Sequence, residues 1–252
     1  MNPFYFGRSE RPLFGVYSHG RPNADVSHSV LLCYPAGSEY MRAHRAFRQL
    51  NTLLNRAGMN VLRFDYSCTG DSGGDGVESS VEGWLDDIDW ALDELKDNAD
   101  SETVSVAGLR LGATLAASAC AIRDDVDHLL LWDPVVSGSD YLDEALGSPR
   151  PTELTGVEGF PVTVQLQREI DRVDLTAPFE GLSDTPVSIL VSDAQPEYER
   201  AAQALTKQGV RVHHEVVPSE GNWAQADPFG DALIPQQIIQ AIVERLKTGP
   251  AS

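Results

Sequence analysis

The stretch Val104-Ser105-Val106-Ala107-Gly108-Leu109-Arg110-Leu111-Gly112-Ala113-Thr114-Leu115-Ala116 decides the fold of this chain. An alternating apolar segment leads into a Gly-x-Arg-x-Gly turn, and an alanine-rich segment of helical character follows. This order predicts a strand, a sharp turn and a helix. Gly108 and Gly112 suit positions where neighbouring backbone leaves no room for a Cβ atom. The tip of the turn is Arg110, whose guanidinium group is always charged and cannot attack a carbonyl.

Strand and helix patterns alternate on both sides of this turn. A predicted N-terminal hairpin is followed by apolar strands that alternate with amphipathic helices. The predicted strands are 4–7, 12–18, 29–34, 60–66, 103–107, 128–136, 186–192 and 210–217, and the predicted helices begin near 41, 79, 111, 196 and 235. The helix near 79 carries a capping-box signature, Ser79 followed by Glu82. This alternation predicts an α/β protein with a mainly parallel sheet and helices on both faces.

The alternation breaks down between Ser137 and Asp184, where glycine, proline and acidic residues dominate. The segment from Val162 to Leu166 is the strand candidate within it. An irregular insertion at this point predicts a lid. Because 252 residues suffice for one α/β domain, we expect a single domain over 1–252 with the lid at 137–184.

Charge and composition exclude several classes of function. The formal charge of −19 argues against binding to nucleic acid and against docking to an anionic membrane. The apolar runs are too short for a membrane span or for a signal peptide at Met1–Phe6. Three widely spaced cysteines suit free thiols in the cytoplasm. Neither metal-ligand spacing nor a nucleotide motif is present, so we expect no metal and no cofactor.

The order of elements resembles the α/β-hydrolase fold over nearly the whole chain. In that family the turn reads Gly-x-Ser-x-Gly, and the serine is the nucleophile. The loop 64–74 is similar to the family's Asp-x-Arg-Gly-x-Gly-x-Ser loop, although Ser67 and Cys68 stand in place of Arg-Gly. Three segments, 35–45, 108–113 and 131–138, resemble more specifically the bacterial hydrolases associated with exosortase systems, in the serine aminopeptidase-like group.

The resemblance allows each member of the family's Ser, Asp or Glu, His triad to be sought by position. Arg110 stands at the nucleophile position. Asp193 follows a predicted strand where the family places its acid, although capping the helix that starts near Pro196 is an equally weighted alternative.

The base position is unfilled. It belongs in the loop 218–234, but the last histidine of the chain is His214, and Asn222 or Trp223 stands roughly in the place of the base. Loss of the nucleophile or the base alone costs a triad enzyme on the order of 10⁶ in turnover. Arg110 at the nucleophile position therefore excludes standard acyl-enzyme chemistry.

An arginine at a helix N-terminus suggests an anion receptor, because free N–H groups and the helix dipole already favour anions there. The resemblance implies that the loop 36–38 supplies the second oxyanion donor. We therefore expect a carboxylate, phosphate or sulfate on a small ligand or a carrier-bound acyl group. The predicted ligand-binding residues are Ala36, Gly37, Ser38, Glu39, Arg110, Leu111 and Asp133. The alternative is that Arg110 pairs with Asp133, Asp193 or Glu39 and plugs the site.

Three other features have ordinary structural interpretations. Gly70-Asp71-Ser72-Gly73-Gly74 satisfies Gly-x-Ser-x-Gly but follows an earlier strand, so a structural turn is favoured. Cys68 is a possible nucleophile, although a buried thiol is the commoner case. Five arginines lie between Arg42 and Arg63 without an acid, which indicates a solvated helix face more often than a binding surface.

The sequence thus favours a degenerate hydrolase that binds an anionic or acyl ligand. The resemblance implies an accessory role in a bacterial biosynthetic pathway. An active hydrolase, acyltransferase or cyclase on acyl esters or thioesters is the alternative, and a protein-interaction scaffold is a third class. The oligomeric state stays open.

Overall fold

The central sheet is built from strands that are buried on both faces. A computed structural model describes residues 1–21, 28–177, 181–219, 223 and 234–248. Its strands are β1 (Asn2–Arg8), β2 (Arg11–Ser18), β3 (Ser29–Cys33), β4 (Asn60–Phe64), β5 (Val104–Leu109), β6 (Val126–Trp132), β7 (Thr155–Val157), β8 (Phe160–Val162), β9 (Val187–Val191) and β10 (Val212–Val216). Every residue of β3, β5 and β9 is buried, as expected of inner strands with helices on both sides.

Among the described residues, eight strands form one sheet in the order β1-β2-β4-β3-β5-β6-β9-β10. The N-terminal hairpin pairs antiparallel and joins β4, whereas all pairs from β4 to β10 are parallel. The strand that leads to Arg110, β5, lies between β3 and β6. This arrangement confirms the predicted mainly parallel sheet of an α/β protein.

The helices cover both faces of this sheet. They are α1 (Ser38–Arg56), α2 (Val81–Ala99), α3 (Leu111–Cys120), α4 (Gly138–Leu146), α5 (Val164–Ile170), α6 (Pro196–Lys207) and α7 (Gln236–Thr248). The connection β3–α1–β4 steps one way across the sheet and β4–α2–β5 steps the other way. Because such crossovers are right-handed, α1 and α2 lie on opposite faces. The helix α1 packs against α7, and α2 packs against α3. No helix in the described part of the chain is long and apolar enough to cross a bilayer.

The insertion between β6 and β9 is more regular than the sequence predicts. It contains α4, the hairpin β7–β8 and α5. The strand predicted from Val162 to Leu166 is wrong, because β8 ends at Val162 and α5 begins at Val164. The hydroxyl of Thr163 accepts a hydrogen bond from the backbone N–H of Leu166 at 3.0 Å and so caps the helix.

The capping box also lies elsewhere than predicted. The N-cap of α2 is Ser80, whose hydroxyl accepts from the N–H of Gly83 at 3.1 Å. Ser79 cannot cap α2, because it ends a short 3₁₀ turn. That turn carries its own capping box, formed by Asp75 and Glu78.

Candidate functional site

The turn between β5 and α3 holds Arg110 in a strained backbone conformation. Its φ is 53° and its ψ is −125°, a combination that a non-glycine residue rarely adopts. A Cβ atom on Gly112 would lie 2.0 Å from the carbonyl oxygen of Tyr34. A Cβ atom on Gly108 would lie 2.6 Å from the Cα atom of Ala113. Both glycines are therefore required by close backbone packing, for the reason predicted from the sequence.

The side chain of Arg110 lies against carboxylates rather than in open solvent. Its Nε donates a hydrogen bond to Oε1 of Glu39 at 3.0 Å, and its terminal nitrogen lies 3.6 Å from Oε2 of Glu144. The guanidinium carbon lies 5.8 Å from the ring centroid of Tyr141. Only 14% of the Arg110 side chain and 5% of the Glu39 side chain are exposed. Of the three carboxylates predicted as possible partners of Arg110, Glu39 is the one it pairs with.

Burial and pairing act in opposite directions on this ion pair. Burial lowers the pKa of Arg110, but the attraction of the Glu39 carboxylate outweighs it and the net pKa is raised. Burial raises the pKa of Glu39, and Arg110 opposes this rise. The phenol of Tyr141 donates to Oε2 of Glu39 at 3.4 Å. Arg110 is thus a permanent cation whose charge is already compensated.

A cavity of about 270 Å³ lies beside this pair, between the carboxyl ends of the strands and the insertion. Five predicted ligand-binding residues line it, namely Ala36, Gly37, Ser38, Glu39 and Leu111. Leu111 is the first residue of α3, so its backbone N–H has no partner within the helix. Arg110 and Asp133 are not among the lining residues.

The insertion covers this cavity with mostly apolar side chains from α4, the β7–β8 hairpin and α5. They are Leu142, Ala145, Leu146, Val157, Phe160, Pro161, Val162, Leu166 and Ile170. On the opposite wall, Cys68 and Trp84 are both buried. Burial raises the pKa of the Cys68 thiol, which makes it a poor nucleophile.

Arg42 is the cation that lines the cavity, and it is also paired. Its guanidinium group forms an ion pair with Glu158 at the tip of the β7–β8 hairpin, donates to the carbonyl of Trp223 at 2.7 Å and lies 3.4 Å from the hydroxyl of Ser38. Sequence reasoning placed Arg42 only in a basic block. Its role in holding the insertion depends on Glu158, which is 116 positions away in the chain.

The Asp133 side chain forms hydrogen bonds to Ser192 and Trp223, in two distant segments of the chain, and does not line the cavity. Its carboxylate accepts hydrogen bonds from the backbone N–H of Ser192 at 2.6 Å, the Ser192 hydroxyl at 2.7 Å and the indole Nε1 of Trp223 at 3.1 Å. Burial raises the pKa of Asp133, and the bonds from Ser192 and Trp223 oppose this rise. Trp223 thus presents an N–H to a buried carboxylate, but an indole has no lone pair with which to accept a proton.

Asp193, predicted at the acid position, is exposed, and its carboxylate accepts from the N–H of the adjacent Ala194 at 2.8 Å. The alternative that it caps α6 is wrong, because the N-cap is Gln195. Among the described residues, no contact joins Asp193 to Arg110. Asn222, the other candidate for the base position, lies outside the described residues.

The Gly70–Gly74 segment forms a structural turn. The hydroxyl of Ser72 donates to the carbonyl of Asp65 at 2.6 Å and accepts from the N–H of Phe14 at 2.8 Å. In the described part of the chain, no group of three or more histidine, cysteine, aspartate or glutamate side chains is arranged to hold a metal ion.

Comparisons with solved structures confirm the predicted α/β-hydrolase fold. No family model and no curated protein matches the sequence. The structure is similar to the esterase Est1E of Butyrivibrio proteoclasticus in complex with ferulic acid, at 18% identity and a TM-score of 0.74, over 97% of this chain and 96% of that one. It is similar to mouse α/β-hydrolase domain-containing protein 10, at 16% identity and a TM-score of 0.61, over 97% and 98%. It also resembles the bottromycin epimerase BotH, at 15% identity and a TM-score of 0.59, over 98% and 99%.

Proposed function

We propose that this protein binds an acyl-type ligand in the cavity beneath the insertion and does not perform acyl-enzyme chemistry. The observation that supports this most directly is the Glu39–Arg110 pair. It fills the turn where a serine hydrolase carries its nucleophile, and it lies beside a cavity with mostly apolar walls. The cavity is available for binding although the residue at the turn cannot attack a carbonyl.

The charges around the cavity favour an uncharged acyl group inside it over an anion. Both cations at the site, Arg42 and Arg110, are compensated by carboxylates, Glu158 for the first and Glu39 for the second. Glu144 brings a further negative charge to the lining. A bare carboxylate or sulfate would have to displace one of these ion pairs, whereas an apolar chain gains from leaving water. The backbone N–H of Leu111 suits the carbonyl oxygen of an ester or thioester.

The lack of a histidine after His214, where the base of a triad is expected, also supports a protein without acyl-enzyme chemistry. Asn222 and Trp223 are the two candidates for this position, and neither a neutral amide nor an indole takes the proton of a nucleophile or of a water molecule. The three cysteines are free and buried, which suits the reducing cytoplasm. The resemblance of the sequence to exosortase-associated hydrolases favours an accessory role in a bacterial biosynthetic pathway.

Two measurements test this function. The first is turnover of a graded series of acyl esters and thioesters by the wild type and by Arg110→Ala. We expect neither protein to exceed the uncatalysed rate. Hydrolysis by the wild type that is lost in Arg110→Ala would establish the alternative, an active enzyme on acyl esters or thioesters in which Arg110 acts electrostatically.

The second measurement is calorimetric titration with octanoyl-pantetheine, an uncharged acyl thioester. Val162→Trp places a large ring in the cavity lining and is expected to weaken binding at least tenfold. The matched control, Val216→Trp, lies on an exposed position of β10 and is expected to change affinity less than twofold. Equal affinity in all three proteins would place the ligand elsewhere and refute the proposed site.

A further inference from the structure

The lining of the cavity contains a buried serine whose hydroxyl group forms no hydrogen bond with any other described residue. This residue, Ser79, is 8% exposed and lines the cavity beneath the insertion. Its backbone N–H donates to the carbonyl of Gly76 at 3.3 Å, which leaves the side chain free. Its hydroxyl oxygen is not completely closed off from solvent, in contrast to the indole nitrogen of Trp84. Because Ser79 is a buried residue of the lining, the space that its hydroxyl faces is the cavity.

The hydroxyl of Ser79 has no role at the helix that follows it. The N-cap of α2 is the next residue, Ser80, whose hydroxyl accepts from the backbone N–H of Gly83 at 3.1 Å. The N–H of Val81 at the start of the helix donates to the carboxylate of Glu169 on α5 at 2.8 Å. Both N–H groups are thus bonded without Ser79, so helix formation does not account for its hydroxyl.

The other hydroxyl groups that line the cavity already have partners within the protein. Those of Ser38, Thr69 and Tyr141 each form a hydrogen bond with another side chain or with the backbone. The hydroxyl of Thr69, for example, donates to the carbonyl of Tyr66 at 2.7 Å. Within the described part of the chain, Ser79 therefore supplies the lining hydroxyl that is free to bind a ligand.

A hydroxyl group beside mostly apolar walls requires a partner that enters the cavity. A buried polar group without a hydrogen bond costs free energy, and a water molecule at such a place needs two to four polar partners. The insertion offers few of them, because most of its lining side chains are apolar. A hydroxyl group on the ligand suits this position, because each of the two hydroxyls is both a donor and an acceptor.

We propose that Ser79 binds a hydroxyl group on the acyl chain of the ligand, so that the cavity selects hydroxyacyl esters or thioesters over unsubstituted ones. This inference rests on the proposed function and specifies its ligand class. The apolar side chains of the insertion cover the chain, and Ser79 recognises its hydroxyl. An unsubstituted chain would exclude water from Ser79 and leave its hydroxyl without a partner, which is the physical basis of the selection.

The test compares octanoyl-pantetheine with hydroxyoctanoyl-pantetheine by titration calorimetry. The hydroxyl group is placed at the third, fifth or seventh carbon of the chain in three separate probes. The wild type is expected to bind at least one of them about threefold to tenfold more tightly than octanoyl-pantetheine, which is the range that one net hydrogen bond provides. Ser79→Ala is expected to lose this preference.

The matched control is Ser80→Ala, which removes the neighbouring hydroxyl. That hydroxyl caps α2, and Ser80 does not line the cavity. Ser80→Ala is expected to lower the melting temperature and to keep the preference for the hydroxylated probe. Ser79→Ala is expected to melt close to the wild type, because its hydroxyl has no partner among the described residues, and to lose the preference.

The outcomes separate the two proposals. If the wild type binds octanoyl-pantetheine and none of the hydroxylated probes more tightly, or if Ser79→Ala keeps the preference, the hydroxyl contact is refuted and the acyl cavity stands. If Ser80→Ala loses the preference as fully as Ser79→Ala, the contact is also refuted, because the preference then depends on the start of α2 and not on Ser79. If no probe binds, both proposals fail.

Discussion

Breaking the Glu39–Arg110 pair tests whether Arg110 is a structural substitute for the nucleophile. Arg110→Met removes the cation and leaves the Glu39 carboxyl, 5% exposed, without its main partner. Removing one partner of a buried ion pair costs about 3–5 kcal/mol. The carboxyl is able to limit this cost by taking up a proton. Protonating a glutamate with an ordinary pKa of about 4.3 costs about 3.7 kcal/mol at pH 7 but only about 1 kcal/mol at pH 5.

The destabilisation by Arg110→Met should therefore be at most about 4 kcal/mol at pH 7 and fall to about 1 kcal/mol at pH 5. Glu39→Gln is the matched partner variant. It leaves a guanidinium group that cannot lose its proton, so its cost should not fall on acidification. The assay is urea unfolding of wild type and both variants at the two pH values, which gives differences in free energy of unfolding.

A cost of Arg110→Met that is below about 1 kcal/mol at pH 7, or that is the same at both pH values, would refute this reasoning. It would mean that Glu39 is solvated or protonated in the wild type. Arg110 would then carry an uncompensated charge beside the cavity, and the anion receptor predicted from the sequence would regain support.

Three further predictions concern stability, each measured by urea unfolding. Gly112→Ala should lower the free energy of unfolding by more than about 3 kcal/mol, because its Cβ atom would lie 2.0 Å from the Tyr34 carbonyl oxygen. In the control variant Gly156→Ala the nearest atom to the Cβ lies at 3.9 Å, so the free energy of unfolding should change little. Asp133→Asn should cost about 2 kcal/mol, because the amide presents a donor to groups that donate to Asp133. His128 is buried, and burial lowers its pKa to about 4, below the value of about 6.5 in the unfolded chain. Because the unfolded chain takes up a proton at this site more readily than the folded protein, the free energy of unfolding decreases as pH falls. Between pH 7 and pH 5 the wild type should lose about 2 kcal/mol more of this free energy than His128→Asn. Equal losses in the two proteins would contradict this reasoning.

The fold was predictable because its signals are local and periodic. Runs such as Val30–Leu32 and Leu129–Leu131 are apolar at consecutive positions, which indicates strands covered on both faces. The missed features lie at helix N-termini. Thr163 caps α5 where the sequence predicted a strand, and Ser80 rather than Ser79 caps α2. A pattern of apolar residues does not distinguish which of two neighbouring hydroxyl groups becomes a cap.

The candidate site was predictable only in part. The turn at Arg110, the loop 36–38 and the missing histidine could be found by position in the chain. The partners of those residues could not. The contacts of Arg42 with Glu158 and of Asp133 with Trp223 join residues 116 and 90 positions apart.

The sequence by itself determined the order of strands and helices outside the insertion, the glycines that the turn requires and the chemistry that Arg110 cannot perform. Those properties follow from local backbone geometry and from the functional groups of single residues. Only the tertiary structure decided that Arg110 pairs with Glu39, that the insertion covers a cavity with mostly apolar walls, and that Arg42 in its lining is compensated by Glu158. The physical reason is that the free energy of a buried charge depends on which distant carboxylate folding brings within about 3–4 Å of it.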